Sequence, residues 1–159
     1  MNQNRKLNLY LAILLVTIFS IAPKAGIAAD LKEITNRGKL VIAVKDNLPP
    51  LGFKDEQGNL QGLEIDIARK LAEELLGNKD AVDLQPVVNQ DRLKVVLDGK
   101  VDLAIARVTA TSSRSRVVDF SRYYYLDGTG LVTKKSSVQQ LSDLDRAEIA
   151  VLKDSSTIA

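Results

Sequence analysis

Between Asp102 and Arg114 the chain reads DLAIARVTATSSR, an apolar run followed by the hydroxyl residues Thr109, Thr111, Ser112 and Ser113 with Arg107 and Arg114 on either side. Guanidinium forks and hydroxyls are hydrogen-bond donors that match a carboxylate, and the arginine charge does not titrate near neutral pH. The 159 residues include no His and no Cys, so a Ser/His/Asp or Cys/His nucleophile and a typical zinc set are excluded. Phosphate-cradling and dinucleotide-binding glycine patterns are also absent. Glu64 and Asp66 read as acids in the first turn of a helix, where they favour the helix dipole. The chemistry on offer is capture of an anion. No catalytic residue, metal or cofactor is expected.

The elements that would position these residues alternate. Asp30 can cap a short helix through LKEITNR that Gly38 ends. KLVIAV (Lys39 to Val44) is a short, β-branched run that reads as a buried strand. KDNLPPLGFKDEQGNLQG reads as a long loop with a hairpin turn at Glu56 to Asn59. From Leu63 to Leu76, apolar residues recur every three or four positions and Gly77 follows, which predicts an amphipathic helix. VDLQPVV is a second strand, Asn89 or Asp91 caps a helix carrying Leu93, Val96 and Leu97, and VDLAIA is a third strand. Such alternation predicts an α/β fold with a parallel sheet covered on both faces. Further on, GTGLVTKK reads as extended, Glu148 to Leu152 as a strand, and Ser155 to Thr157 as the start of a helix. That last strand has no partner following it, so a second lobe cut short is expected.

The first 29 residues differ from the rest: Arg5 and Lys6, an apolar run from Leu9 to Ala22, then AGIAA before Asp30. This is the layout of a secretory signal peptide, with cleavage expected after Ala29. The apolar run is 14 residues long, short of the roughly 20 that a membrane span needs. The segment holds Arg5, Lys6 and Lys24 and no acid. Removing it from 22 basic and 20 acidic residues leaves 19 against 20, a net charge of −1. No cluster of Lys and Arg interleaved with aromatics remains, so nucleic acid is not an expected partner. Export without cysteine fits a protein in the periplasm that is not embedded in a membrane after cleavage.

Ligands of open parallel sheets bind beyond the carboxyl ends of the strands. Asp46 follows the first strand there, and Thr109, Thr111 and Arg114 follow the third. If those strands are neighbours, an acid and a donor set face one crevice, as a zwitterion requires. Each residue also has a plainer use. Arg114 can pair with Asp119, Thr109 and Thr111 can cap a strand or helix, Asp46 can serve a turn, and Tyr123 to Tyr125 can pack a core or hinge.

Taken together, GKLVIAVKDNLPPLGFKDEQGNLQGLEIDIARKLAEELLG, DGKVDLAIARVTATSSRSRVVDFSRYYYLDGTGLV and IAVLKDSST resemble the bacterial extracellular solute-binding proteins of family 3, which serve polar amino-acid ABC transporters. The resemblance covers about residues 36 to 159. It implies a type II periplasmic-binding-protein fold with a first lobe over 30–128, a hinge crossing over 129–138 and the start of a second lobe over 139–159. It implies that Arg114 grips the ligand's α-carboxylate with Thr109 and Thr111 beside it, that Ser155 and Ser156 add small hydroxyls from the second lobe, and that Asp46 lies at the side-chain end of the pocket. Two positions depart from the family's pattern. Leu48 stands where an aromatic is common, and Arg107 replaces a small residue, so it either reaches the ligand's side chain or turns outward. Arg107 would suit an acidic ligand and Asp46 a basic one.

The implied function is capture of an amino acid between two lobes and its delivery to an inner-membrane permease, by a protein that is monomeric at full length. With most of one lobe missing, weak or absent binding is expected of these 159 residues. The same fold also serves periplasmic dehydratases of the cyclohexadienyl or arogenate type and the sensory domains of membrane receptors.

Overall fold

The computed structural model describes residues 30–153 and 155–156, so the expected signal peptide and Thr157 lie outside the described residues. The chain opens on helix α1 (Leu31–Arg37), whose first turn is capped by Asp30: its Oδ1 accepts from the Glu33 N–H at 2.8 Å. Gly38 ends the helix by donating its N–H to the carbonyls of Ile34 and Thr35. Strand β1 (Leu40–Val44) follows, and it becomes the centre of a parallel sheet in the order β5–β1–β6, with β5 at Val82–Pro86 and β6 at Leu103–Ile105. Ile42 lies between Leu84 and Leu103, and Val44 between Pro86 and Ile105. The neighbouring of β1 and β6 that the crevice needed is therefore present.

Helix α2 (Leu63–Leu76) matches its expected span and lies on the sheet. Ile65 and Ala68 on its inner face join Leu40, Ile42, Val44, Ile105 and Ile34 in one buried core. These β1 residues alternate, as one face of a strand must. Ala43 on the opposite face is also fully buried, so β1 is covered on both sides. Asp102, just before β6, stitches the elements together: its Oδ2 accepts from the Val41 N–H at 2.7 Å and from the Arg37 guanidinium, which belongs to α1.

The long segment after β1 is more ordered than a loop. It forms a small antiparallel sheet of β2 (Asn47–Leu48), β3 (Gly52–Lys54) and β4 (Leu60–Gln61). The expected hairpin turn lies between β3 and β4, and it is organised by Asp55. Its Oδ1 accepts from the N–H groups of Gln57 at 3.0 Å and Asn59 at 2.7 Å, and its Oδ2 accepts from the Gln61 side chain at 2.6 Å. Gly62 then joins the sheet to α2 at φ 116°, and a Cβ there would stand 2.3 Å from the Leu51 carbonyl oxygen. No side chain fits, which lets the Glu64 N–H reach that same oxygen at 2.8 Å.

Three expectations differ from the structure. The helix after β5 is only α3 (Lys94–Leu97), and neither Asn89 nor Asp91 caps it through a side chain. Residues 148–152 form no strand, and 128–135 form none either. A strand is stable only beside another, and among the described residues none pairs with these. Their apolar side chains, Val132, Ile149, Val151 and Leu152 among them, are exposed. After β6 the described chain holds only two short 3₁₀ turns, Arg114–Arg116 and Leu141–Leu144.

Two predictions follow from this packing. Gly62→Ala is expected to cost roughly 2 kcal/mol or more, because the clash and the positive φ outweigh the gain from a stiffer unfolded chain; urea unfolding measures it. Asp55 is held below its ordinary carboxylate value of 3.8, first by the Asn59 N–H. Its contribution is therefore present above that value and lost as pH falls through the lowered one. Wild type should melt higher than Asp55→Ala at neutral pH, with the gap closing as pH falls below 3.8.

Candidate functional site

At the carboxyl ends of β1, β5 and β6 the backbone turns outward and a set of charged side chains turns inward. Lys45 follows β1 and is only 4% exposed, with its Nζ donating to the Val87 carbonyl beyond β5 at 2.8 Å. Arg92 lies in the segment between β5 and α3 and is 8% exposed. Its Nη1 donates to the carbonyls of Ala106 at 3.0 Å and Arg107 at 2.6 Å, and its Nε donates to the Asn89 carbonyl at 2.9 Å. Burial pulls the Arg92 pKa below its ordinary value, helped by the nearby guanidiniums of Arg114 and Arg107. Burial, then Arg92, likewise lowers that of Lys45. Two buried cations thus brace the strand ends by holding main-chain carbonyls.

Glu64 is the buried anion among them, with no exposed surface. It does sit in the first turn of α2 as expected, but its carboxylate turns into the interior rather than serving the helix end. Oε1 accepts from the Arg107 N–H at 2.6 Å and from the Tyr124 phenol at 2.7 Å. Oε2 is buried without a hydrogen-bond partner. Burial, and then the bond to Glu64, push the Tyr124 phenol well above its ordinary value.

Beyond Arg107 the hydroxyl-rich segment borders a cavity of about 580 Å³. Thr111 and Arg114 line it, and so do Ser155 and Ser156 from the far end of the described chain. The loop is organised locally: the Thr111 Oγ1 accepts from the Arg114 N–H at 3.3 Å, and the Arg114 Nη1 donates to the Thr109 carbonyl at 3.0 Å. Thr109 meets Ser156, whose hydroxyl donates to the Thr109 Oγ1 at 3.1 Å. Of the seven residues picked from sequence, five are therefore gathered at one place.

The other two are engaged elsewhere and do not line the cavity. Asp46 pairs with Lys54 across the small sheet at 3.2 Å. Arg107 turns outward to Asp127 at 3.0 Å, with half of its side chain exposed. Of the two courses expected for Arg107, the side chain here takes the outward one. Asn89, Gln90, Arg92 and Leu93 line the cavity as well, and sequence reasoning missed them. Nothing in the spacing of NQDRL marks Arg92, because a charged residue before a short amphipathic stretch ordinarily faces solvent.

Residues 40–157 match the family described as bacterial extracellular solute-binding proteins, family 3. The chain belongs to this family. Among relatives, it is 35% identical over 131 residues to a glutamine-binding protein of Geobacillus stearothermophilus, covering 81% of this chain and 50% of the relative. It is 28% identical over 148 residues to the L-cystine-binding protein TcyJ of Escherichia coli strain K12, covering 86% of this chain and 54% of the relative. The chain therefore spans about half the length of these curated relatives. In solved structures, a solute receptor for L-cysteine of Neisseria gonorrhoeae superposes with a TM-score of 0.57 at 38% identity, over 58% of this chain and 38% of that one. Domain 1 from TmArgBP, in a Phe57Trp mutant with arginine bound, superposes with a TM-score of 0.58 at 32% identity, over 64% of this chain and 76% of that one. The fold is that of one lobe of a type II periplasmic binding protein. Among the described residues no helix is long and apolar enough to cross a membrane.

Family membership makes Arg92 a test of how the cleft is built. Arg92→Met keeps most of the side chain's bulk and leaves three carbonyls without their donor. An unpaired buried acceptor costs roughly 1–3 kcal/mol, so a loss in that range or above it is expected in urea unfolding. A loss below about 0.5 kcal/mol would show that surface substitutions are the proper comparison for this residue.

Proposed function

We propose that this chain supplies the first lobe, and the opening of the second, of the substrate-binding component of an ABC transporter for a polar amino acid. The cavity beside Arg114 takes the ligand's α-carboxylate. The observation that carries this reading is the gathering of Arg114, Thr111, Ser155 and Ser156 around one cavity, with Thr109 bonded to Ser156 at its edge. These are donors from two distant parts of the chain. Arg92 adds a second guanidinium to the same wall. A cleft lined by arginines and hydroxyls attracts a carboxylate and holds it by charge-assisted hydrogen bonds.

In this mechanism no bond of the ligand breaks. The carboxylate bridges the loop 109–114 and Ser155–Ser156, so the joined arrangement is favoured once ligand is present, and its population rises with binding. The protein works outside the cytoplasm, in a periplasm, and hands its ligand to a membrane permease. Relatives named for glutamine, cystine, cysteine and arginine share the carboxylate and ammonium of an amino acid and differ in side chain. In this chain the two charges that could have chosen a side chain, Asp46 and Arg107, are paired with Lys54 and Asp127. Selection for a basic or an acidic side chain therefore falls to other residues of the cleft. The arginine-bound domain 1 from TmArgBP favours measurable binding by a first lobe, against the expectation of weak or absent binding drawn from sequence.

A thermal-shift series with the twenty amino acids tests the proposal, because a ligand that binds only the folded state raises the melting temperature by mass action. At least one polar amino acid is expected to raise it at millimolar concentration. Arg114→Ala is expected to weaken that ligand about ten- to hundredfold by calorimetry, the loss of one charged hydrogen-bonding partner. Equal affinity in wild type and Arg114→Ala would remove Arg114 from the site.

A further inference from the structure

The backbone at Arg107 is unusual. Its φ is 49°, in the left-handed region that a residue with a Cβ enters only at a steric cost. Here β6 ends and the loop toward Thr109, Thr111 and Arg114 begins. The peptide groups at Arg107 end on buried charges of opposite sign: its N–H donates to the Glu64 Oε1 at 2.6 Å, and its carbonyl accepts from the Arg92 Nη1 at 2.6 Å. Charge-assisted hydrogen bonds are about twice as strong as neutral ones, and two of them can hold a residue in a conformation it would otherwise leave.

The same Glu64 oxygen also accepts the Tyr124 phenol, and the Arg107 side chain reaches Asp127 at 3.0 Å. Segment 124–127 is thus joined to the root of the ligand loop twice. The Arg107–Asp127 pair is half exposed on both sides and contributes little. Glu64 is fully buried, and its Oε2 is left without a partner. An apolar side chain in that space would leave the Arg107 N–H and the Tyr124 phenol without their acceptor.

We propose that Glu64 is a positioning residue for ligand binding. Its Oε1 is a shared acceptor that sets the direction in which the loop 107–114 leaves β6 and ties that loop to Tyr124, so that the two segments move as one unit. This rests on the reading of the cavity as an amino-acid site, and the two are tested separately.

The experiment uses amide-resolved NMR of the full chain without ligand, in wild type, Glu64→Gln and Tyr124→Phe. Tyr124→Phe leaves Oε1 with one donor, so the Arg107 amide proton is expected to move downfield while the amides of β5 stay in place. Glu64→Gln is expected to move it upfield. L-glutamine, L-cystine and L-arginine are then titrated as probes, and the best of them is expected to bind Glu64→Gln roughly tenfold more weakly than wild type. The double variant should be no worse than Glu64→Gln alone, as for groups that act through one atom. An Arg107 amide that ignores Tyr124→Phe overturns the proposal, and so does Glu64→Gln with wild-type affinity. If Glu64→Gln does not fold, the Tyr124→Phe spectrum decides. Failure of every probe to move any loop amide in wild type, with the Tyr124→Phe shift present, would count against the amino-acid site and leave the anchor standing.

Discussion

A full carboxylate buried at the head of a helix is the constraint on which this lobe's working end depends. Glu64 can occupy that place because its surroundings supply donors: the Arg107 N–H, the Tyr124 phenol, and the positive field of Lys45 and Arg92 nearby. An unpaired ion in the same position would be expelled or neutralised. The approach of chain to chain that brings it there relies on two glycines. A Cβ at Gly62 would collide with Leu51, and one at Gly52 would stand 2.6 Å from the Lys45 carbonyl oxygen. The small sheet β2–β4 is therefore part of the site's foundation, since it delivers the head of α2 to the strand ends.

The charges divide into two kinds by burial. Asp46–Lys54 and Arg107–Asp127 are partly exposed pairs whose energies are small and screened by salt. Lys45 and Arg92 are buried and donate to main-chain carbonyls just past the ends of β5 and β6. The loop 107–114 thus rests on a frame of buried side chains that hold the carbonyls at its root and its first N–H. Arg114 donates to the Thr109 carbonyl within its own loop and borders the cavity. Both arginines line the cavity, and they differ in that Arg92 holds carbonyls of the strand end while Arg114 holds a carbonyl of the loop.

The segment after Tyr125 follows from the same physics in reverse. Leu126, Val132, Leu141 and Leu152 are all exposed, and no strand pairs with the residues around them among the described part of the chain. The chain covers half the length of a curated relative while matching the family over residues 40–157. Apolar sequence of this kind needs a facing layer to become a strand.

Local pattern was enough wherever one residue type has one physical use. The apolar spacing of α2, the β-branched run of β1, the Asp30 cap and the turn before Asn59 were legible because helix period, strand period and turn chemistry are properties of neighbours in sequence. Thr109, Thr111, Arg114, Ser155 and Ser156, singled out by chemistry and by resemblance to a family, lie together at one cavity, and ligand binding by them is the proposal. Glu64, Arg92 and the true partners of Asp46 and Arg107 were not legible. An acid in a first helical turn and an arginine before a short helix look like solvated residues in one dimension. Only the folding of α2 against β6, 43 residues apart at the Glu64–Arg107 bond, turned that acid inward and made its carboxylate the acceptor for a strand end. Sequence alone determined which groups could hold a carboxylate. Tertiary structure decided which of them line the cavity and which pair elsewhere, because burial and distance are set by contacts that no local pattern encodes.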